Sequence, residues 1–177
     1  MKYLLIILFF STSQLYAQSK IYNIEINSLD SSASSLKSYT GKKILIATGS
    51  PSYLQKAGIK FLDSLQAANL SLQIILIPVQ DSVSENTKED IDFIRNNFSK
   101  NSLVTAVASV ANGKDEKQSM LVKYLTDVKE NTHFDQPLST DFNMYLVSES
   151  GFLYGVLNRF TSAETLNELL TQKDVTQ

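Results

Sequence analysis

Covalent catalysis by a thiol is closed to this sequence. There is no cysteine among its 177 residues, so no thiolate can attack a peroxide or a disulfide, and no sulfenic acid or persulfide can form. Hydroxyl, imidazole and carboxylate groups remain. Ser52 opens the segment Ser52-Tyr53-Leu54-Gln55, which has the S-x-x-Q form of a helix capping box. Its oxygen is therefore expected to cap a helix rather than attack a substrate. A nucleophilic serine would need a base, and the single histidine, His133, falls in the polar stretch Glu130-Asn131-Thr132-His133, which reads as an exposed loop. No HxH, HExxH or DxDxDG spacing announces a metal site, and Gly49-Ser50-Pro51 is a lone turn, not a phosphate-cradling loop. No cofactor is expected.

The elements that would position these groups follow from hydropathy. Ile21 to Ile26 alternates with period two and suits a half-buried strand; a Ser-rich stretch, Ser28 to Ser38, anchored by Leu29 and Leu36, suits a surface hairpin and turn. Ile44 to Ala47 and Leu72 to Ile77 are unbroken apolar runs, the mark of strands buried on both faces, and Pro78 is expected to stop the second. Between them Leu54, Gly58, Phe61, Leu62 and Leu65 form one helical face. A helix from Thr87 with Ile91, Ile94 and Phe98 inward comes next, then a strand from Leu103 to Ala108 and a polar turn over 112–117. Leu121, Tyr124, Leu125 and Val128 mark a further helix. Phe142 to Val147 and Phe152 to Leu157 read as a hairpin, and a helix with Leu166, Leu169 and Leu170 inward closes the chain. Tyr22, Phe61, Phe93, Phe142, Tyr145 and Phe152 lie in these stripes and are expected in the core. This order is an α/β sandwich, a central mixed sheet flanked by helices, in the order of the thioredoxin fold.

Residues 1–17 differ in kind. Lys2, an apolar run from Tyr3 to Phe10, polar residues from Ser11 and a small Ala17 before Gln18 make an export signal, too short to span a bilayer. The expected mature unit is a single domain, 18–177, periplasmic or extracellular, with no membrane insertion after cleavage. Formal net charge is −2, one unit more negative once Lys2 leaves, which offers no electrostatic footprint for nucleic acid.

Four segments carry a resemblance to the glutathione peroxidases, thioredoxin-fold enzymes that reduce peroxides. Leu36-Lys37-Ser38-Tyr39-Thr40-Gly41-Lys42 is similar to that family's lead into its first core strand, and Ile44 to Ser50 to the strand and turn before its reactive residue. Ile75-Leu76-Ile77-Pro78 resembles its strand ending in Phe-Pro, and Phe142 to Val147 its late Asn-Phe-x-x-Phe-Leu-Ile strand. The resemblance implies a site built from a cysteine or selenocysteine, a glutamine, a tryptophan and an asparagine. Counting from Gly41-Lys42 puts the nucleophile at Tyr53, and counting from Gly49-Ser50 puts it at Ser52. The glutamine falls at Asp81, one step from Gln80, and the tryptophan and asparagine fall at Thr140 and Asp141. None of the four roles is filled. A hydroxyl at Ser52 or Tyr53 gives no ready anion at neutral pH and no reversible cycle with a thiol reductant. The resemblance therefore implies a peroxidase scaffold without thiol peroxidase activity, whose cleft binds a protein or a small-molecule ligand. The alternative is an enzyme of another class using Ser52 or the carboxylates of Asp81 and Asp141, which this resemblance places across one cleft as candidate metal ligands. If those two like charges do face one another, Asp141→Asn should stabilise the fold.

Overall fold

The computed structural model describes residues 20–30, 32–81, 88–98, 102–110 and 119–172. The expected export signal and the polar turn over 112–117 lie outside these residues.

Ile44–Gly49 (β3) is buried at every position, and the reason is visible in how its residues alternate. Ile44 and Ile46 join one apolar cluster with Ile75, Ile77, Tyr145 and Val147, while Leu45 and Ala47 join another with Ile74, Leu76, Met144 and Leu146. A strand with no polar side must be covered on both faces. β3 pairs in parallel with Gln73–Gln80 (β4) and antiparallel with Asn143–Val147 (β7), which continues antiparallel into Leu153–Asn158 (β8). Leu103–Val104 (β5) and Ala108–Ser109 (β6) both pair in parallel with β4, so the sheet is mixed, in the order β5-β4-β3-β7-β8.

One face is covered by a long helical segment. Pro51–Tyr53 (α1) passes through a π-helical stretch, Leu54–Gly58, into Ile59–Ala68 (α2), and Lys88–Asn97 (α3) and the last helix, Ala163–Thr171, pack beside it. Leu54, Ile59, Leu62, Leu65, Ile94, Phe98, Leu166 and Leu170 are the buried apolar residues this layer supplies. The other face is covered by Met120–Thr126 (α4), followed by Val128–Asn131 (α5), and by the hairpin of Glu25–Asn27 (β1) and Ala33–Ser35 (β2). The final helix is thus α6. Tyr22 and Tyr124 fix the β7–β8 turn from this side: their hydroxyls donate to the carbonyls of Glu149 at 2.7 Å and Gly151 at 2.9 Å. Gly151 has φ +86°, a conformation that costs glycine nothing and other residues about 1 kcal/mol or more. On the same face Thr48 Oγ1 and Tyr145 OH are buried and complete no hydrogen bond among the described residues. Burial pushes the Tyr145 phenol up to about 12, with the neighbouring Thr48 hydroxyl acting the other way.

Four expectations need correction. Ile21 to Ile26 is not one strand: Lys20–Asn23 is a 3-10 turn, because consecutive Ile21 and Tyr22 are both buried, which a strand would place on opposite faces. Pro78 does not stop β4. Leu76 accepts from Thr105 N at 2.9 Å, so Leu76 and, two residues on, Pro78 direct their backbone at the β5–β6 side, as alternate residues of a parallel strand do. Pro78 has no N–H to give there, so the neighbouring chain leaves the ladder between β5 and β6 instead. That same missing donor splits the strand expected over Leu103 to Ala108. Phe152 is 46% exposed, outside the core.

The hairpin also seals one edge of the sheet. Leu29 N donates to Val104 O at 2.9 Å and Ala106 N to Asn27 O at 2.8 Å. Its tip is held by Asp30, whose carboxylate accepts from the hydroxyls of Ser28 and Ser32 and from Ser32 N. These bonds, the Ser28 hydroxyl first, lower its pKa to about 2 from 3.8. A depressed folded-state value means the stabilisation is full above the unfolded pKa and disappears as pH falls towards 2. Amide protection in the hairpin, taken relative to intrinsic exchange at each pH, should accordingly fall between pH 4 and pH 2, and Asp30→Asn should remove that step. An unchanged step in Asp30→Asn would assign it to another carboxylate.

Candidate functional site

The sequence-derived candidates all lie at one end of the sheet, where β3 and β4 finish and β7 begins. Gly49 pairs with Pro78, and Thr48 with Asn143; Ser52 and Tyr53 follow the first strand, Asp81 the second, and Thr140 and Asp141 precede the third. The strand-to-helix junction is built by Ser50 and Pro51. Proline at the first helical position needs no donor and has its φ already set, which makes the residue before it the cap. Ser50 Oγ accepts from Tyr53 N at 3.4 Å, and Ser50 N donates to Thr140 O at 2.9 Å, tying the helix start to the loop before β7. Ser52 is therefore not the N-cap. It is exposed in the first turn. Ser50→Ala should cost ~0.5–1 kcal/mol, whereas Ser52→Ala should stay within about 0.5 kcal/mol. Denaturant melts with unchanged slope check both, and the reverse ranking would restore the capping role to Ser52.

Tyr53 does not project freely. Its ring lies 5.3 Å from that of Phe142, tilted by 32°, and Phe142 meets Phe61 edge-on at 6.3 Å. Phe142 is 4% exposed. The place that the resemblance gives to a reactive thiol thus holds a half-buried phenol stacked into an aromatic cluster. The π-helical stretch follows immediately, and Gly58 within it faces Leu54 so closely that a Cβ would meet Leu54 Cδ2 at 2.9 Å. π-Turns of this kind concentrate at functional sites.

Asp81 and Asp141 are both exposed and sit on either side of β3, one on the β4 end and one before β7. Asp141 is fixed through its backbone: its N–H donates to Ser139 Oγ at 3.0 Å and its carbonyl accepts from Asn143 Nδ2 at 3.3 Å. No group of three or more metal-ligating His, Asp or Glu side chains occurs among the described residues. His133 is exposed, and its Nδ1 is occupied within its own loop, 3.0 Å from the Asn131 carbonyl and 2.9 Å from the Thr132 hydroxyl.

No family model matches the sequence, and no curated protein matches it. Solved structures do. Trgpx in its apo form superposes with a TM-score of 0.59 at 14% identity, covering 85% of this chain and 92% of that one. GPX1 of T. cruzi gives 0.57 at 13%, covering 85% and 93%, and a thioredoxin-like protein from Aeropyrum pernix gives 0.56 at 12%, covering 84% and 88%. The fold is thioredoxin-like. Identities of this size establish a shared architecture and nothing about activity. No described helix is long and apolar enough to cross a membrane.

Phe142 as the partner of Tyr53, and a cavity beside Gln80, were not legible as site features. The one available signal was Pro78 inside an otherwise unbroken apolar run.

Proposed function

We propose that this chain is an exported, glutathione-peroxidase-like member of the thioredoxin superfamily that works as a non-catalytic binding module. The observation that carries the reading is Tyr53: in a chain with no cysteine, the first helical turn after β3 carries a phenol packed on Phe142. A phenol so placed supplies neither the anion nor the reversible sulfur chemistry that peroxide or disulfide turnover needs. The exposed carboxylates of Asp81 and Asp141 at the same sheet end suit recognition of a partner better than acid–base work, which favours buried, environment-tuned groups.

The test is peroxide consumption with glutathione or thioredoxin as reductant, using protein purified free of thiol enzymes. The expected rate equals that of buffer. Turnover that co-purifies with the protein would sink the reading. The alternative, metal-assisted chemistry at Asp81 and Asp141, is separated by thermal melts with calcium or zinc and with chelator. A metal-dependent rise in Tm that Asp141→Asn abolishes would establish it.

A further inference from the structure

Where the chain steps away from Pro78, it leaves a cavity of ≈ 340 Å³ between the Ser-rich hairpin, β4 and the start of α4. This volume is in the range that holds a small ligand. Its walls are uneven in chemistry. Ile77 and Leu121 are apolar; Asn27 and Gln80 carry carboxamides, Thr105, Ser109 and Ser119 carry hydroxyls, and Glu25 carries a carboxylate. Among the described residues of the lining, Glu25 is the one that is ionisable. Thr105 is also the residue whose carbonyl would have accepted from the nitrogen of residue 78 in a continuous parallel ladder, and proline withholds that donor. Among the described residues the lining therefore combines groups that both donate and accept with a single negative charge and a short apolar wall.

We propose, resting on the binding role above, that this cavity is the ligand site and that it takes a small cation rich in hydrogen-bond donors, an alkylammonium or alkylguanidinium. The cationic head would meet the Glu25 carboxylate and the carboxamide oxygens, where charge-assisted bonds are strongest, and the alkyl portion would lie along Ile77 and Leu121. An anion of the same size would face Glu25 with no compensating cation among the described residues of the lining. The site lies beside Gln80, at the end of β4, so it belongs to the same sheet end as Asp81 yet uses the opposite face from the Tyr53–Phe142 cluster.

The experiment is calorimetric or NMR titration of the full-length mature chain with n-butylguanidinium, against butyramide and butyrate as neutral and anionic counterparts. The expected order is guanidinium above amide above carboxylate. Glu25 is exposed, so Glu25→Gln should fold normally and weaken the guanidinium by about tenfold or more. Val107→Trp, which adds bulk to the lining, should weaken all three probes, and Glu168→Gln, exposed on α6, should change none. Equal affinity for cation and anion, no binding of the cation up to about 10 mM, or indifference to both Glu25→Gln and Val107→Trp would overturn the site. The peroxide assay fails separately: turnover would remove the non-catalytic role and leave the cation affinities standing.

Discussion

Asn131→Leu should destabilise the protein by about 3–5 kcal/mol, on the scale of leaving several buried polar groups unpaired. Asn131 is 3% exposed and uses its whole amide. Nδ2 donates to the carbonyls of Tyr124 and Phe134, both at 2.9 Å, and Oδ1 accepts from His133 N at 2.8 Å and Phe134 N at 2.7 Å. Leucine fills the volume but leaves two N–H groups and two carbonyls without these partners. The chain there cannot relax cheaply, because Thr132 is held at φ +68°, an uncommon conformation for threonine. Asn131→Asp supplies the control. Its carboxylate would keep the acceptor and face two carbonyl oxygens in place of the lost donor, which raises its pKa in the folded state. A raised value means the cost is present at neutral pH and shrinks as pH falls and the carboxyl protonates. Denaturant midpoints at pH 7 and pH 4 measure both variants. A leucine variant within about 1 kcal/mol of the parent would mean that water replaces the amide.

How much of this was readable from the residues depends on whether the signal was local. β3 and β4 announce themselves because a strand buried on both faces must be apolar throughout, and Ile44 to Ala47 and Ile74 to Ile77 are. The β7–β8 hairpin and α6 follow from equally local patterns. Pro78 misled, since the rule that proline ends a strand assumes both neighbours need its N–H. Only the β5–β6 side did, and that neighbour yielded. The 3-10 turn at Lys20–Asn23 was hidden by Ile24 and Ile26, whose spacing imitates a longer strand although Ile21 and Tyr22 are both inward. The cap was misassigned because the S-x-x-Q pattern at Ser52 overlaps a stronger one, Ser50 followed by Pro51.

The candidate site was legible as a location and not as a set of contacts. Gapless counting from distant anchors assigned Ser52, Tyr53, Asp81, Thr140 and Asp141 to one site, and the register sets side by side the ends of β3 and β4 and the start of β7 that these residues flank. Tyr53 touching Phe142 is a contact between residues 89 apart in number, and no periodicity carries it. The cavity is further from reach, because it is made by an absent hydrogen bond. Its lining is drawn from four separated stretches whose only link in sequence is the proline opposite them.

Phe142→Ala should cost about 3–5 kcal/mol, the range for deleting a buried aromatic ring. The ring is the centre of the Tyr53–Phe142–Phe61 cluster, and it also lines the close approach at Gly49, where a Cβ would stand 3.5 Å from its Cα and its ring. Removing it opens space beneath the helix start. It also takes away two ring contacts worth about 0.5–1.5 kcal/mol each beyond simple area burial. Tyr53 would lose its stacking surface, so amide exchange should accelerate over Ser50 to Gly58 more than in β3, whose pairing is independent of the ring. Phe142→Leu, which keeps part of the volume, should cost less and leave the exchange pattern closer to the parent. If Phe142→Ala costs under about 1 kcal/mol, or loosens the whole sheet uniformly, the aromatic cluster is not what holds Tyr53 in place. The assignment of that phenol as a structural replacement for a reactive group would then have to be abandoned.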